Sequence, residues 1–433
     1  MSENRLQNNA LFSELRKTYP VFTYESYEFQ CDEHEITMRF CFKTGNNISF
    51  KPTMRLVLGN YAQNNMQDKE IAGLVFHIGL IELISYWKTT CSPTIRIEAH
   101  TLTPAQQAWW RKLYYKGLGE FFYRNNITVN PAEMFTFAFS EEAKPIEIFD
   151  FQHINDSERV IVPIGGGKDS VVTLEELRTQ SRVLPFIINP RGATLDCVHM
   201  AGFTSDKDIV ILHREIAPQL LELNKQGFLN GHTPFSAMLA FYTLLVSYGT
   251  ATRHIALSNE SSANEPTIPN TDINHQYSKS LEFEEDFRHY VKENMNDCAH
   301  YFSYLRPLNE LQIAEKFAQY RQYHPVFKSC NAGSKENKWC CACSKCLFAY
   351  LILSPFLSDK ELVTIFGEDL LDKPEMQQYF DELCGLAPNK PFECVGTISE
   401  VNRAIAMILE NRKDKYLIKR FITSTHHFHQ SDC

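Results

Sequence analysis

A short glycine-rich segment carries the strongest chemical signal in this sequence, and its residues are typical of a phosphate-binding loop. Three glycines, Gly165–Gly167, follow the apolar run Val160–Ile164 and precede Lys168, Asp169 and Ser170. Glycines leave backbone N–H groups accessible, and the N-terminus of a following helix adds a partial positive charge. Lys168 would contact a polyphosphate, and Asp169 would hold Mg²⁺ or a neighbouring lysine. The order of residues predicts a strand, a phosphate-binding loop and a helix start.

The spacing of this loop distinguishes it from two common nucleotide-binding motifs. The Walker loop separates two glycines by four residues before its Lys-Ser/Thr pair, and the dinucleotide-binding loop follows the pattern GxGxxG. The segment Gly165–Ser170 matches neither pattern. The alternative is that this segment binds no ligand and is only a glycine-rich turn beside an ordinary helix N-cap.

Four cysteines near residue 340 have the spacing of a metal site. Cys330, Cys340, Cys343 and Cys346 form the pattern CX9CX2CX2C, and four thiolates suit tetrahedral zinc. A redox motif is the alternative, although a thioredoxin-like motif has a single cysteine pair. We predict a closed, structural zinc site, with the adjacent Cys341 as a small buried residue.

Two polar segments, SNESSANE at 258–265 and NHQYSKS at 274–280, are candidates for substrate contacts. Long polar connections inside a domain are typically functional or disordered, and the nearby aromatic residues argue against disorder. Glu260, His275 and Lys279 are candidates for acid–base chemistry or for contacts to an anionic substrate, with a structural role as the alternative for each. The candidates for substrate binding in these segments are Ser258, Asn259, Asn274, Gln276, Ser278 and Ser280.

Alternating strand and helix patterns predict the α/β class, with a parallel sheet that positions these candidates. Ligands bind outside the carboxyl ends of parallel strands, so the glycine loop, Asn189 with Arg191, and residues 258–265 should converge. Asn189 is a candidate nucleotide contact, and Arg191 would meet a phosphate or a carboxylate, unless it is a solvated turn residue. The predicted strands are Val160–Ile164, Leu184–Asn189, Ile209–Leu212 and His254–Ser258, and the predicted helices include 170–180, 215–224 and one that Thr233 caps before Pro234.

The remaining pattern predicts three domains. Residues 1–150 carry a predicted hairpin or meander at 22–58 and an aromatic helix that Thr103 caps, which indicates an α+β domain with a substrate-recognition role. A polar stretch at 142–158 is the predicted boundary. The catalytic domain is then 151–357, and the periodic segments after it predict a helical C-terminal extension, 358–433, packed on that domain.

Composition excludes several classes of protein. The chain has 433 residues and a net charge of −9, which argues against a general nucleic-acid binder. Its N-terminus lacks the apolar segment of a signal peptide, and the apolar stretches at 73–87 and 235–248 fall short of a membrane span, so we expect a cytoplasmic protein. Thirteen cysteines in that compartment do not predict a disulfide framework.

The segment GGGKDS resembles the PP-loop of the ATP pyrophosphatase superfamily, whose pattern is SGGxDS; Gly165 stands in place of the usual serine. The resemblance implies an adenine nucleotide alpha hydrolase-like domain that splits ATP between its α and β phosphates. Gly165–Ser170 would hold the pyrophosphate, and a substrate oxygen would be adenylated.

Further segments resemble one family within this superfamily, the ATP-dependent UDP-N-acetylmuramoyl-L-alanyl-L-glutamate epimerases of bacterial peptidoglycan synthesis. These segments are KGLGEF at 116–121, SNESSA at 258–263, NHQYSKS at 274–280 and WCCACSKC at 339–346. The resemblance covers residues 20 to 357, with Lys116 and Ser261 as small departures, and it matches the tail less well.

The family resemblance implies that ATP and Mg²⁺ activate the α-carboxylate of a peptide-linked L-glutamate, so that its α-proton can be removed and returned to the opposite face. AMP and diphosphate would be released. Lys168, Asp169 and Ser170 would act at the ATP end, and Glu260, Asn274, His275 and Lys279 at the substrate end. Neither the proton-abstracting base nor the oligomeric state is predicted.

Three alternatives remain at this point. A nitrile-forming synthase of the deazaguanine pathway shares the PP-loop and a CxxCxxC zinc site, but it lacks the first 150 residues. A tRNA-modifying PP-loop enzyme is disfavoured by the acidic charge balance. A non-catalytic nucleotide-binding module would bind ATP without turnover.

Overall fold

One large mixed β-sheet organises the chain, which a computed structural model describes at residues 2–64, 66–146 and 156–430. Its strands and those of a separate two-stranded sheet (β6 and β8) are β1 (Val21–Cys31), β2 (Glu35–Thr44), β3 (Ile48–Phe50), β4 (Thr53–Val57), β5 (Thr94–Ile97), β6 (His100–Thr101), β7 (Thr136–Phe139), β8 (Lys144–Pro145), β9 (Asp156–Pro163), β10 (Arg182–Ile188), β11 (Val210–Glu215), β12 (Thr252–Leu257) and β13 (His300–Ser303). The order in the large sheet is β13-β12-β9-β10-β11-β4-β2-β1-β5-β7, and β3 pairs with β2.

Helices cover both faces of this sheet in the manner of α/β proteins. The α-helices of the described residues are α1 (Ser2–Thr18), α2 (Asp68–Trp87), α3 (Pro104–Gly117), α4 (Gly119–Arg124), α5 (Lys168–Leu177), α6 (Gly192–Met200), α7 (Pro218–Lys225), α8 (Phe235–Gly249), α9 (Leu281–Asn294), α10 (Glu310–Gln319), α11 (Ser344–Leu353), α12 (Asp359–Phe366), α13 (Gln377–Cys384), α14 (Ile398–Arg412) and α15 (Tyr416–Gln430).

The half of the sheet from β13 to β11 is parallel, as the sequence predicted. All four predicted strands form, each within a few residues of its predicted bounds. The chain leaves β9 towards β10 on one side, and β12 returns to the other side of β9. This reversal opens a crevice at the carboxyl ends of β9 and β12, which is where parallel sheets bind ligands.

The N-terminal strands extend the same sheet instead of forming a separate one. The predicted hairpin or meander at 22–58 is confirmed as β1 to β4, with its turn at 45–47 between β2 and β3. Strand β4 pairs antiparallel with β11, with Val57 opposite Ile211. One apolar core therefore contains side chains from both regions, such as Phe42 and Leu212. Residues 147–155, in the predicted domain boundary, lie outside the described residues. The division near residue 150 stays a prediction.

Two helix starts test the predicted caps. The Thr103 hydroxyl accepts a hydrogen bond from the Gln106 amide at 3.2 Å, which confirms that cap. The predicted cap at Thr233 is wrong, since Pro234 occupies the N-cap of α8. The Thr233 hydroxyl instead accepts a hydrogen bond from Lys88 Nζ at 2.6 Å. This tertiary contact takes the oxygen that would have capped the helix.

Helix α2 is longer than the apolar stretch that the sequence suggested, and the prediction that it is too short for a membrane span was wrong. With 20 residues it is long and apolar enough to cross a bilayer. However, 94% of its most apolar window is buried inside the protein, against strand β1 and helix α8. Helix α2 is apolar on all faces because other elements of the protein pack against it on every side, as in other central core helices.

The C-terminal helices share an apolar core with the parallel half of the sheet. Leu351 of α11 is fully buried, and Phe380 of α13 and Ile405 of α14 belong to the same cluster. Helix α14 also contacts α10, which stands beside the glycine-rich loop. The helical character predicted for this region is confirmed.

Candidate active site

A cavity of about 660 Å³ lies at the carboxyl ends of β9 and β12. It is the place where the sheet order reverses, and the three segments expected to converge meet there. The predicted site residues that line it are Gly165, Gly167, Lys168, Asp169, Ser170, Asn189, Arg191, Ser258, Asn259, Glu260 and Lys279.

The glycine-rich loop has the predicted strand–loop–helix form. Strand β9 ends at Pro163, and α5 begins at Lys168 with Gly167 as its N-cap. Gly166 has φ +80°, and a Cβ there would lie 2.9 Å from the Ala193 carbonyl carbon. At Gly165, by contrast, no heavy atom of the described residues lies within 4 Å of an added Cβ. Space alone therefore does not explain why glycine replaces serine at Gly165.

Two carboxylates contact the ammonium group of Lys168, and that of Glu260 lies close enough to act on Glu310. Its Nζ lies 2.5 Å from Asp169 Oδ1 and contacts the buried carboxylate of Glu310. Burial raises the pKa of Glu310 to about 8; Lys168 opposes this shift, and Asp169 and Glu260 add to it. Burial also raises the pKa of Glu260, against the field of Lys279. The site therefore gathers more acidic groups than Lys168 alone can neutralise.

Glu310 was not predicted as a site residue, because its local pattern accounts for it fully. It is the first residue of α10, directly after Asn309, whose side chain caps the helix with Gln312. An acidic residue in a first helical turn is ordinary. Only the packing of α10 against α5 reveals that Glu310 faces Lys168.

Cys394 was also missed, and it lines the same cavity. Lys279, His275 and Lys345 of α11 lie close enough to the thiol to act on it electrostatically. These three partners come from different segments of the chain. A single cysteine in a segment without motif spacing offered no signal.

His275 lies behind this cavity wall in a cluster with the N-terminal region. Its Nδ1 lies 2.5 Å from Glu120 Oε2, and His232 Nδ1 lies 3.2 Å from the same oxygen. Burial lowers the pKa of His275, but hydrogen bonds to Cys394 and Glu120 outweigh it and raise the pKa to about 9. Burial and the neighbouring His275 lower the pKa of His232 to about 4.

The other predicted residues of NHQYSKS are outside the cavity lining and hold the segment in place. The Asn274 amide donates to the Ala263 carbonyl at 2.8 Å, and the Gln276 amide donates to the Val395 carbonyl at 3.1 Å. Ser280 caps α9, and Ser278 is buried. Their predicted substrate contacts stay predictions.

Asn189 and Arg191 follow β10 as expected. The Asn189 side chain makes two hydrogen bonds to the Arg214 backbone, of 2.7 and 3.0 Å, and thereby fixes the end of β11. The Arg214 guanidinium, which reasoning from sequence missed, lines the cavity and binds the buried Glu82 through two contacts of 2.8 and 2.9 Å. Arg191 is exposed and donates to Ser334 at 3.3 Å.

The four cysteines come together as predicted, with all four sulfurs within 4.8 Å of one another. Their Sγ atoms are 4.0 Å apart for Cys330 and Cys343, 3.7 Å for Cys340 and Cys346, and 3.5 Å for Cys343 and Cys346. A zinc ion with four Zn–S bonds of about 2.3 Å needs sulfurs about 3.8 Å apart. Cys341 is buried outside this set and points its thiol at the Phe366 carbonyl.

The cysteine cluster is continuous with the cavity wall. Cys330 and its neighbour Asn331 line the cavity, and the Lys328 amide donates to the Gly166 carbonyl at 2.8 Å. The cysteines that the structure describes form no disulfide. The segment at 328–331 thus connects the cysteine cluster, through Cys330, with the glycine-rich loop, through Lys328.

Comparisons with known proteins match most of this chain to one family. A family described as the MurL N-terminal domain matches residues 13–304, and one described as the MurL C-terminal domain matches 326–432. A relative from Xanthomonas oryzae pv. oryzae is 35% identical over 79% of this chain and 76% of its own length. One from Salinispora tropica is 34% identical over 90% and 85% respectively. Both are named UDP-N-acetyl-alpha-D-muramoyl-L-alanyl-L-glutamate epimerase.

Proposed function

This chain belongs to the UDP-N-acetyl-alpha-D-muramoyl-L-alanyl-L-glutamate epimerase family, and we propose that it inverts the terminal L-glutamate of UDP-N-acetylmuramoyl-L-alanyl-L-glutamate in an ATP-dependent reaction. The product is the D-glutamate epimer, a precursor of peptidoglycan. The family membership supports the epimerisation, and the cavity supports the use of ATP.

The observation that carries the ATP dependence is the meeting of a phosphate-type loop with two ammonium groups and buried carboxylates. Lys168 begins α5 at the end of the glycine-rich loop, and Lys279 faces the same cavity. A polyphosphate at the loop would accept hydrogen bonds from backbone N–H groups and lie at the positive N-terminal end of α5. The substrate carboxylate would then lie next to the α-phosphate.

Activation by ATP answers a chemical difficulty. The α-proton of a peptide-linked glutamate is weakly acidic, because the neighbouring carboxylate resists a second negative charge. Transfer of AMP to that carboxylate removes its charge and makes an acyl group that stabilises an enolate. The proton can then leave and return on the opposite face, after which water releases AMP.

Magnesium suits the acidic side of this cavity. Asp169 and Glu310 contact Lys168, and Glu260 acts on Glu310 electrostatically; Mg²⁺ is commonly held by one or two carboxylates together with substrate phosphates. The raised pKa of Glu310 reflects burial and the repulsion among these acids, which a divalent cation would relieve. We assign the three carboxylates as the candidate Mg²⁺ ligands.

Zinc suits the cysteine cluster as a structural ion. The sulfur separations of 3.5 to 4.0 Å are close to those of a tetrahedral Cys₄ site. All four ligands are cysteines, so no position is left open for a substrate. The ion would stabilise the segment that covers the glycine-rich loop.

The N-terminal region offers a place for the nucleotide-sugar. A second cavity of about 670 Å³ is lined by Tyr115, Lys116, Tyr123, Arg124 and Ile273, among others. The Tyr123 ring packs 5.5 Å from that of Phe392, two residues before Cys394. A nucleotide-sugar bound there would point its dipeptide towards the catalytic cavity.

The test is incubation of the protein with ATP, Mg²⁺ and UDP-N-acetylmuramoyl-L-alanyl-L-glutamate. We expect D-glutamate after hydrolysis of the product, with AMP and diphosphate formed. Lys168→Ala should abolish turnover, while Lys225→Ala, at an exposed lysine of α7, should not. Formation of ADP and phosphate, or no D-glutamate, would contradict the proposal.

A further inference from the structure

We propose that Cys394 is the base that removes the α-proton of the activated glutamate, an assignment that rests on the proposed function. The sequence assigned no base. Among the described residues, Cys394 combines a position in the wall of the catalytic cavity with partners that favour its reactive form.

The position of Cys394 brings it to the reacting part of the site. It shares the cavity with Lys168, Asp169 and Lys279. Cys394 precedes Val395, whose carbonyl accepts a hydrogen bond from Gln276, so the NHQYSKS segment fixes this part of the chain. The hydrogen bond from Gln276 to Val395 therefore fixes the backbone next to Cys394, and with it the position of the thiol on the cavity wall.

The surroundings of Cys394 are cationic. Burial alone would raise the pKa of this thiol, but the positive charges of Lys279, Lys345 and His275 outweigh burial and hold the pKa well below its usual value. The adjacent residue Glu393 is acidic, and its own pKa is raised, mainly because the side chain is buried. Cys31, a half-buried thiol of β1, shows the opposite behaviour, because burial raises its pKa to about 11. A thiolate is the form of cysteine that accepts a proton.

The other candidates for the base are less suited to it. Lys279 is protonated at neutral pH because Cys394 and Glu260 raise its pKa despite burial. His275 has a pKa of about 9 and lies against Glu120, so its ring is also protonated and lacks a free electron pair. Glu260 and Glu310 belong to the acidic group around Lys168. Among these candidates, Cys394 is thus the cavity residue best suited to accept the proton.

The proton transfer balances without a further reagent. The Cα–H bond breaks as an S–H bond forms on Cys394, and the electron pair moves into the activated carboxyl group to give an enolate. A solvent-derived proton adds to the opposite face of Cα. The thiol then returns its proton to solvent, which restores the starting state. In D₂O the D-glutamate product should carry one deuterium at Cα.

The first experiment separates proton removal from adenylation. Cys394→Ser and Cys394→Ala should lose epimerisation and α-deuterium uptake at least about 100-fold, the usual scale for a lost acid–base group. Substrate-dependent exchange of diphosphate into ATP should stay within about threefold, which also shows that the variants fold. The matched control is Cys31→Ser, which should retain all three activities.

The outcomes distinguish the two proposals. A wild-type protein without diphosphate exchange would reject the ATP mechanism itself. A wild-type protein that exchanges diphosphate and epimerises, together with a Cys394→Ser variant that still epimerises and takes up deuterium within about threefold, would overturn the assignment of Cys394.

A second experiment needs no catalysis. Iodoacetamide at pH 6.5, with peptide mapping, should alkylate Cys394 at least about tenfold faster than Cys31, because the thiolate is the reactive form. Lys279→Met should slow the labelling of Cys394 at this pH and restore it at pH 9. Equal rates for the two cysteines in the wild-type protein would overturn the assignment.

Discussion

The carboxylate of Glu310 contacts the ammonium group of Lys168, although 142 residues separate them in the chain. Both side chains are buried, and Asp169 shares the same ammonium group. The contact couples the start of α5 to the start of α10, so that two helix N-termini meet at one acidic pocket. If Glu310 is a Mg²⁺ ligand as proposed, its protonation state can be measured through Mg²⁺ binding.

We expect Mg²⁺ to bind the protein more tightly as the pH rises from 6.5 to 8.5. Glu310 has a pKa of about 8, and it must lose its proton to act as a ligand. The dissociation constant should fall roughly 20-fold over this range. Calorimetric titration with MgCl₂ at several pH values measures it. Glu310→Gln should weaken binding and flatten the pH dependence, whereas Glu315→Gln, at an exposed position of α10, should do neither.

Gly165 and Gly166 should respond differently to a side chain. Gly165→Ser introduces the serine that the PP-loop pattern has at this position, and its Cβ meets open space, so diphosphate exchange should stay within about threefold. Gly166 has φ +80°, and Gly166→Ala places a Cβ against the backbone of Ala193. This substitution should lower the free energy of unfolding by about 2 kcal/mol or more and reduce diphosphate exchange over tenfold. Thermal unfolding and exchange assays of both variants check this; equal behaviour would contradict the loop geometry.

The cysteine cluster should hold one zinc ion per chain. Cys343→Ser should lose the ion and lower the melting temperature, because the segment beside the glycine-rich loop loses its anchor. Cys341→Ala is the matched control, since Cys341 lies between the ligands in sequence but contacts Phe366 instead. Elemental analysis and calorimetry measure both. Retention of zinc by Cys343→Ser would contradict the ligand assignment.

The Glu120–His275 pair should make stability depend on pH. Folding raises the pKa of His275 from its ordinary 6.5 to about 9, so its contribution is complete below pH 6.5 and is lost as the pH rises through 9. Cys394 and His232 face the same ring and share in this titration. In Glu120→Gln the fall of the unfolding free energy between pH 6.5 and 9 should be smaller than in the wild type. Urea unfolding measures it, with the exposed Glu133→Gln as the control.

Tyr123 tests the proposed position of the nucleotide-sugar. Tyr123→Ala should raise KM for the substrate about fivefold or more with kcat reduced less than twofold, because the ring lies in the second cavity and outside the catalytic one. Phe29→Ala removes a partly buried ring of β1 as a control and should leave KM unchanged. Steady-state kinetics distinguish the two. An unchanged KM in Tyr123→Ala would place the nucleotide-sugar elsewhere.

Several features of the fold followed from local pattern. The strand, loop and helix at 160–172 were predictable because the glycines, the apolar run and the helix start are adjacent in the chain. The cysteine cluster was predictable for the same reason, since its ligands lie within 17 residues. By contrast, the Thr233 cap failed because Lys88, distant in sequence, binds its hydroxyl.

The sequence by itself therefore determined the features that short segments can encode: a glycine-rich loop between a strand and a helix, a cysteine cluster and a parallel sheet that brings polar loops to one edge. Tertiary structure alone decided which distant groups complete the site. Glu310, Arg214 and Cys394 reach the cavity through packing between helices and strands, and the N-terminal strands join the catalytic sheet through β4 and β11. The physical reason is that burial and charge act through space, so the acidity of Glu310 and of Cys394 depends on neighbours that no local pattern specifies.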